Sequence, residues 1–300
     1  MTAFTAIDLS RVPPPDVVEV LDPAAIVDEL KAAVVAAVPE LAPKLTLASD
    51  PLVKVIEAFA WRELLLRNHV NNAVRAVNLA TSTGHDLDNL AALMGVVRLV
   101  LDPGDEDASP AIPPTLETDG DLRRRVQLAP EGATAAGTVG SYTFHALAAH
   151  PDVADATATN LAPGMLTTIV TVLSRQGDGT PDPTTLAAIE TAMEPFRPLG
   201  VTLTIAAPTV LSFAIDATLT FFTGPDATVI QAAAEERLTT YLTTHRRLGR
   251  DITRAGIFGS LMVEGVQNVG LTSPAADVVC APTDVAHCTG VTITYGGRDD

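Results

Sequence analysis

The chain has 300 residues, 47% of them hydrophobic and 18% charged, the composition of a folded globular protein with room for two or three compact domains. Its 36 Asp and Glu outweigh 19 Lys and Arg to give a net charge of −17. That balance argues against nucleic acid as a partner, whose binding rests on basic side chains neutralising phosphates. Two cysteines, Cys280 and Cys288, do not make a disulfide framework and are expected as free thiols. The longest apolar run, Ala32 to Val38, is far short of the roughly 18 residues a membrane span needs, so no membrane is expected. The opening Met1 to Asp8 lacks a positive start and a long apolar stretch, so the expectation is synthesis in a cytoplasm without a secretory signal.

In chain order, consecutive prolines at Pro13-Pro14-Pro15 forbid helix and favour an extended arm up to Asp22. Asp22-Pro23 then caps a helix carrying Ile26, Leu30, Val34 and Val38 on one face. Asp50-Pro51 opens a longer helix that runs to about Ala80, with Gly84 as its stop. Stepping from Leu52 by four and three gives Ile56, Phe59, Glu63, Leu66, Val70, Ala73 and Val77, an almost unbroken apolar seam. Such a seam calls for a partner helix. Trp61, Leu64, Leu65 and Val74 lie off it and widen the apolar surface. Asp86 to Met94 reads as a short helix that folds back.

The stretch after Leu101, rich in Asp, Gly and Pro, reads as an acidic linker. Two short helices follow, Thr118 to Leu128 with Arg123, Arg124 and Arg125 in its middle, and Ser141 to His150. Beyond Pro151 the period changes to alternation. Leu166–Leu173, a helix at Pro183–Met193 and Val201–Ile205 form a β-α-β unit. The pattern recurs as Phe213–Phe222, a helix opened by Pro225-Asp226, a helix near Ile252–Met262, a strand near Val266–Leu271 and a last run Val291–Tyr295. The expected fold class is α+β, an N-terminal helical bundle region followed by two small tandem α+β modules. The expected boundaries are an arm at 1–22, a helical region at 23–100, linker and short helices at 101–150, and modules at 151–207 and 208–300.

No catalytic set emerges, and no cofactor is expected. Gly84-His85-Asp86-Leu87-Asp88 offers a His-Asp pair of the kind metal phosphohydrolases use, but the partner ligands cannot be identified, and a helix-capping Asp beneath an exposed His is the simpler reading. Asp102, Asp105, Glu106 and Asp107 do not match a calcium loop, because Gly104 is misplaced and Pro113 stands where a bidentate Glu belongs. Cys280, His287 and Cys288 lack a fourth ligand for zinc. No nucleophile elbow or phosphate-cradling loop is present. Arg246, Arg247, Arg250 and Asp251 form the densest basic cluster, read either as a helix C-terminal complement or as ion pairs to another subunit.

Six runs, Asp50–Arg67, Gly84–Gly95, Leu122–Glu131, Val170–Pro181, Arg247–Asp251 and Gly265–Pro274, resemble in unbroken order the baseplate assembly protein J family of contractile phage tails. The resemblance covers roughly Leu45 to the C-terminus. It implies a structural protein of the baseplate wedge, in the virion tail after assembly in the host bacterial cytoplasm. A second copy, a smaller wedge tail protein, a sheath-initiator or inner baseplate protein and the central spike hub would be its partners. It implies that the seam helix is the bundle element and that the C-terminal modules are contacts between copies, with no catalytic residues to carry over. A phage-derived particle such as a tailocin or contractile injection device is the related reading. A soluble metal phosphohydrolase is the alternative of another class.

Overall fold

The computed structural model describes residues 7, 9–160, 166–224 and 226–299. Met1 to Ala6, Asp8 and Pro225, on which parts of the expected N-terminus and helix start fall, lie outside the described residues. The chain divides into a helical unit, reaching to Arg98 and including 118–126, and a second unit holding 99–117 and 127 onward.

The helical unit begins with the arm, which makes one 3-10 turn at Leu9–Arg11 and then reaches helix α1 (Pro23–Ala37). Asp22 caps α1 by accepting from Ala24 N at 2.9 Å, and Asp50 caps α2 (Pro51–Ala76) from Leu52 N at 2.8 Å. Proline at the first helical position removes an amide that would have no partner there, which is why both Asp-Pro pairs start helices. Leu45, Val53 and Ile56 are buried between α1 and α2 with Val27, Leu30, Val34, Val35 and Leu52. Helix α2 stops at Ala76 because Asn78 turns the chain, accepting from Ala80 N at 2.9 Å, while Thr81 donates to the Arg75 carbonyl at 2.8 Å. Gly84, expected to end α2, instead opens α3 (Gly84–Leu93) with a φ of +54°.

In the second unit the acidic stretch is a small antiparallel hairpin, β1 (Val100–Asp102) with β2 (Thr115–Leu116), continued by an Asp105–Ile112 bridge. Gly104, at φ +71°, is needed there, since a Cβ would sit 2.3 Å from the Ile112 carbonyl oxygen. Helix α4 (Asp119–Gly132) starts in the helical unit and ends in this one.

Next come α5 (Val139–Ala149), β3 (Val153–Asn160), β4 (Thr167–Ser174), α6 (Pro183–Met193) and β5 (Thr202–Ala206). The sheet order is β3-β4-β5, with β3 antiparallel and β5 parallel to β4. Val170, Val172, Ile189, Met193 and Leu203 share this core with Tyr142 and Leu147 of α5, so this first lobe begins before Pro151. The chain continues as β6 (Thr209–Phe221), α7 (Ala227–His245), α8 (Arg254–Leu261), β7 (Val266–Ser273) and β8 (Asp284–Arg298). Here the order is β7-β6-β8, again antiparallel on one side and parallel on the other. The first lobe holds the expected β-α-β crossover, β4-α6-β5. The second does not, because its two helices connect antiparallel strands, β6 and β7. Phe221, Leu219, Leu238, Ile257 and Leu261 fill the second lobe's core. The chain is a mixed helix-and-sheet protein with small sheets.

Candidate functional site

The seam of α2 serves two surfaces. Ile56, 4% exposed, faces α1 beside Val53 and Ala60, and Leu52 is half-buried with them. Phe59 and Leu66 are each 66% exposed, Val70 50% and Val77 72%, and Ala73 is also exposed. At about 100° per residue Ile56 lies on the side towards Val53 and Ala60, about 60° round the helix from Phe59, and the drift of about 20° per heptad carries later seam positions further from α1. With Val55, also exposed, these side chains fall within an arc of about 60° at 3.6 residues per turn. The result is an apolar stripe on a helix about 39 Å long, from its 26 residues at 1.5 Å each. Trp61 and Leu65 add exposed apolar surface beside it.

On the inner face, Glu63 is half-buried and pairs with Arg67 of its own helix, Nε to Oε1 at 3.0 Å. Arg67 also lies 3.3 Å from Glu29 and 3.5 Å from Glu19; the hydrogen bond it donates to Glu63, helped by those two carboxylates, raises its pKa above the ordinary guanidinium value. One turn on, Asn71 is 3% exposed and reads the arm's backbone, accepting from Glu19 N at 3.1 Å and donating to Glu19 O at 2.9 Å. The arm is thereby clasped to α2 as a strand would be.

The His-Asp pair belongs to another kind of centre. Arg98 donates to Asp88 at 2.6 Å and pairs with Asp119 at 2.8 Å. Asp119 also accepts from Gly84 N, at 3.2 Å to one of its oxygens. Burial lowers the Arg98 pKa, but the bonds to Asp88 and Asp119 outweigh it and hold the guanidinium above its ordinary value. Burial likewise raises the Asp119 pKa, but the bond from Arg98 leaves it below the carboxylate norm. His85 is fully exposed, 3.3 Å from Asp88. Arg123 donates to the carbonyls of Leu79 and Ser82, both at 2.7 Å, and Arg125 to Val97 O at 3.1 Å. This arginine run therefore ties the turns around α3.

Asp102 and Asp105 accept from Gly104 N and Asp107 N, the hydrogen bonds of tight turns. Cys280 is a buried free thiol and Cys288 a partly buried one, and burial raises the pKa of both. Among the described residues, no group of three or more His, Cys, Asp or Glu gathers in a way that could hold a metal ion.

Of the basic cluster, Arg246 donates to the carbonyls of Arg175 at 3.2 Å and Gly177 at 2.8 Å, and Arg247 to Ala154 O at 2.8 Å. Asp251 accepts from Cys280 N at 2.8 Å. Arg250 is exposed. Asn71, Arg98 and Asp155 were not singled out from the sequence. A polar residue on an apolar helix face was the available signal for Asn71, whereas nothing marked the other two.

A helix with one apolar face covered and another bare, two small sheets with open edges, and carboxylates spent on caps and arginine pairs describe a structural protein made to be built into a larger assembly. The baseplate J-like N-terminal domain matches residues 48–105, which hold α2 and its stripe, and the baseplate J-like C-terminal domain matches residues 213–294 in the second lobe. Baseplate protein J of Escherichia phage P2 is 41% identical over 301 residues, covering 98% of this chain and 99% of the relative. The chain belongs to the baseplate J-like family: it is a structural component of a phage tail baseplate and not an enzyme, which removes the phosphohydrolase alternative. A chain in the baseplate of the anti-feeding prophage, solved with six-fold symmetry imposed, is 17% identical at a TM-score of 0.41. That match covers 63% of this chain and 43% of the other, so this chain spans less than half of it, and a likeness this slight carries no argument.

Proposed function

We propose that the protein is a wedge component of the baseplate, joining wedge subunits around the central hub by burying the stripe of α2 in a helical bundle. The single observation behind this reading is that stripe: Phe59, Leu66, Val70 and Ala73 stand exposed in a row on α2, with Val77 at its C-terminal cap, beside the face that already packs on α1. Scattered exposed apolar residues are normal, but a contiguous row along a rigid element favours a protein partner. The bundle's other members are a second copy of this chain and a smaller wedge tail protein. The sheath-initiator or inner baseplate protein and the spike hub lie within reach of the assembled wedge, and assembly takes place in the host bacterial cytoplasm before the virion is complete.

The C-terminal lobes supply the contacts between copies. The outer edge of β8 supports this, because from Thr289 to Gly297 it carries no charged residue and no proline, the devices that usually protect an edge strand. In a chain of net charge −17 such an edge is a surface two copies can bring together without repulsion. Arg250, exposed at the turn after α7, is the member of the basic cluster best placed to join such a contact. A photo-crosslinking amino acid at Val70, activated in assembled particles, tests the bundle reading. It should capture a second copy or a smaller baseplate chain, and particles that form normally without any captured chain would refute it.

A further inference from the structure

Among the described residues the two lobes have separate apolar cores with no shared member, and no helix or strand of one packs broadly on an element of the other. The chain passes between them through Ala207-Pro208 alone, from the end of β5 to the start of β6. The hydrogen bonds between them gather at the point where the chain leaves α7. Arg246 Nη1 donates to Arg175 O at 3.2 Å, and its Nη2 donates to Gln176 O at 3.4 Å and Gly177 O at 2.8 Å. Arg247 donates to Ala154 O at 2.8 Å. The next amide, Leu248 N, donates at 3.0 Å to Oδ2 of Asp155, a carboxylate 4% exposed that also accepts from Ala156 N at 2.9 Å.

We infer that Arg246, Arg247 and Leu248 form with Asp155 and the loop after β4 a latch that fixes the angle between the lobes, with Ala207-Pro208 as its pivot. Closed, the tandem lobes move as one rigid body; open, they are two folded bodies on a short tether. Three features make this a latch and not an extension of either core. The bonds named above are hydrogen bonds, and the arginine ones are charge-assisted, individually strong but exchangeable with water. The guanidinium fork spans successive carbonyls, a task a lysine ammonium performs as a single point.

The acceptor loop is also shaped for the fork. Gly177 and Gly179 have φ of +53° and +104°, and a Cβ on Gly179 would meet Leu173 Cδ1 at 2.4 Å and Arg246 Nη2 at 3.5 Å. Arg246 is therefore a positioning residue. It sets how a surface on the second lobe is presented relative to one on the first, whatever neighbours those surfaces meet.

The test uses the full chain with Cys280 and Cys288 replaced by Ala and nitroxide labels placed on exposed positions of α6 and α7, Ala188 and Ala232. One narrow inter-label distance is expected in this parent. Arg246→Ala with Arg247→Ala should broaden the distribution at least about twofold while circular dichroism stays unchanged, and Arg246→Lys should fall between, as expected for release of a domain closure. In the unaltered chain, the Leu248 amide should exchange about tenfold or more faster than amides in the centre of β6, because a latch opens locally. An unchanged distance in the double variant, loss of β3–β5 secondary structure in it, or Leu248 exchange that occurs only with the core would each overturn the inference.

Discussion

Substituting Leu66 and Ile56 separately by Asp distinguishes a helix face used inside the chain from one used between chains. Both positions lie on the heptad seam, but Leu66 is 66% exposed and Ile56 only 4%. Full burial of such a side chain is worth roughly 1.5–3 kcal/mol, so covering the exposed part of Leu66 would release roughly 1–2 kcal/mol on assembly. Leu66→Asp forfeits that and encloses an unpaired carboxylate at several kcal/mol more. The sum, about 4 kcal/mol, corresponds to roughly a thousandfold loss of affinity. In the isolated chain the same substitution changes stability by no more than about 0.5 kcal/mol, as expected at an exposed helix position. Ile56→Asp is the converse: it puts the charge between α1 and α2 and costs the isolated chain more than about 4 kcal/mol. Melting of the purified chain and co-purification with other baseplate proteins measure the two effects. If Leu66→Asp lowered the melting temperature as far as Ile56→Asp, or left co-purification and particle yield intact, the division of α2 into an inner and an outer face would be wrong.

Asp182 caps α6 by accepting from Thr184 and Thr185, and those bonds, the Thr184 hydroxyl first, lower its pKa from 3.8 to about 2. A depressed carboxylate pKa means stability that is fully present above pH 3.8 and is lost as pH falls towards 2, so Asp182→Asn should flatten acid unfolding of the first lobe in that window. Asn71→Leu removes both bonds to the Glu19 backbone, loosening the arm by about 1–2 kcal/mol; faster exchange of the Glu19 amide with α2 unchanged is the expected readout. Gly256→Ala in α8 would place a Cβ 2.2 Å from Tyr241 Oη, costing the second lobe about 1–3 kcal/mol by overpacking. Thermal melts of that variant alone and combined with Tyr241→Leu should show most of the loss recovered.

Much of the fold was legible where local chemistry decides it. Asp22-Pro23 and Asp50-Pro51 each combine a side-chain acceptor with a preset φ, and both helices start where those pairs stand. The alternation in Thr167–Ser174 and Thr202–Ala206 likewise became strands. β3 was missed because its alternating residues are mostly Ala and Thr, whose hydrophobic contrast is small, and its burial comes from α5 packing on it. The β1–β2 hairpin was missed because its connection carries the Gly, Asp and Pro that also mark open linkers. Strand direction is not encoded in alternation at all. Phe213–Phe222 and Val266–Leu271 read the same whether parallel or antiparallel, and the chain between them supplied helices enough for a crossover that the second lobe does not make.

For the site, the seam's apolar residues were legible, whereas the division of its surface was not. Ile56 and Leu66 have the same chemistry and lie on the same seam, and only the position of α1, seated on Val53 and Ile56 by Val27, Leu30 and Val34, determines which of them remains bare. The opposite difficulty hid the role of Arg246. A cluster of arginines beside a helix end suits an intermolecular ion pair and an intramolecular carbonyl clamp equally well. The choice rests on the loop after β4, about 70 residues away, whose glycines turn three carbonyls towards one point. Long-range partners of this kind leave no periodic trace, because one guanidinium satisfies backbone groups that any sequence would provide. A clamp of this kind is thus harder to find by pattern than an exposed apolar stripe: a stripe must repeat along a helix, and a clamp has to occur only once.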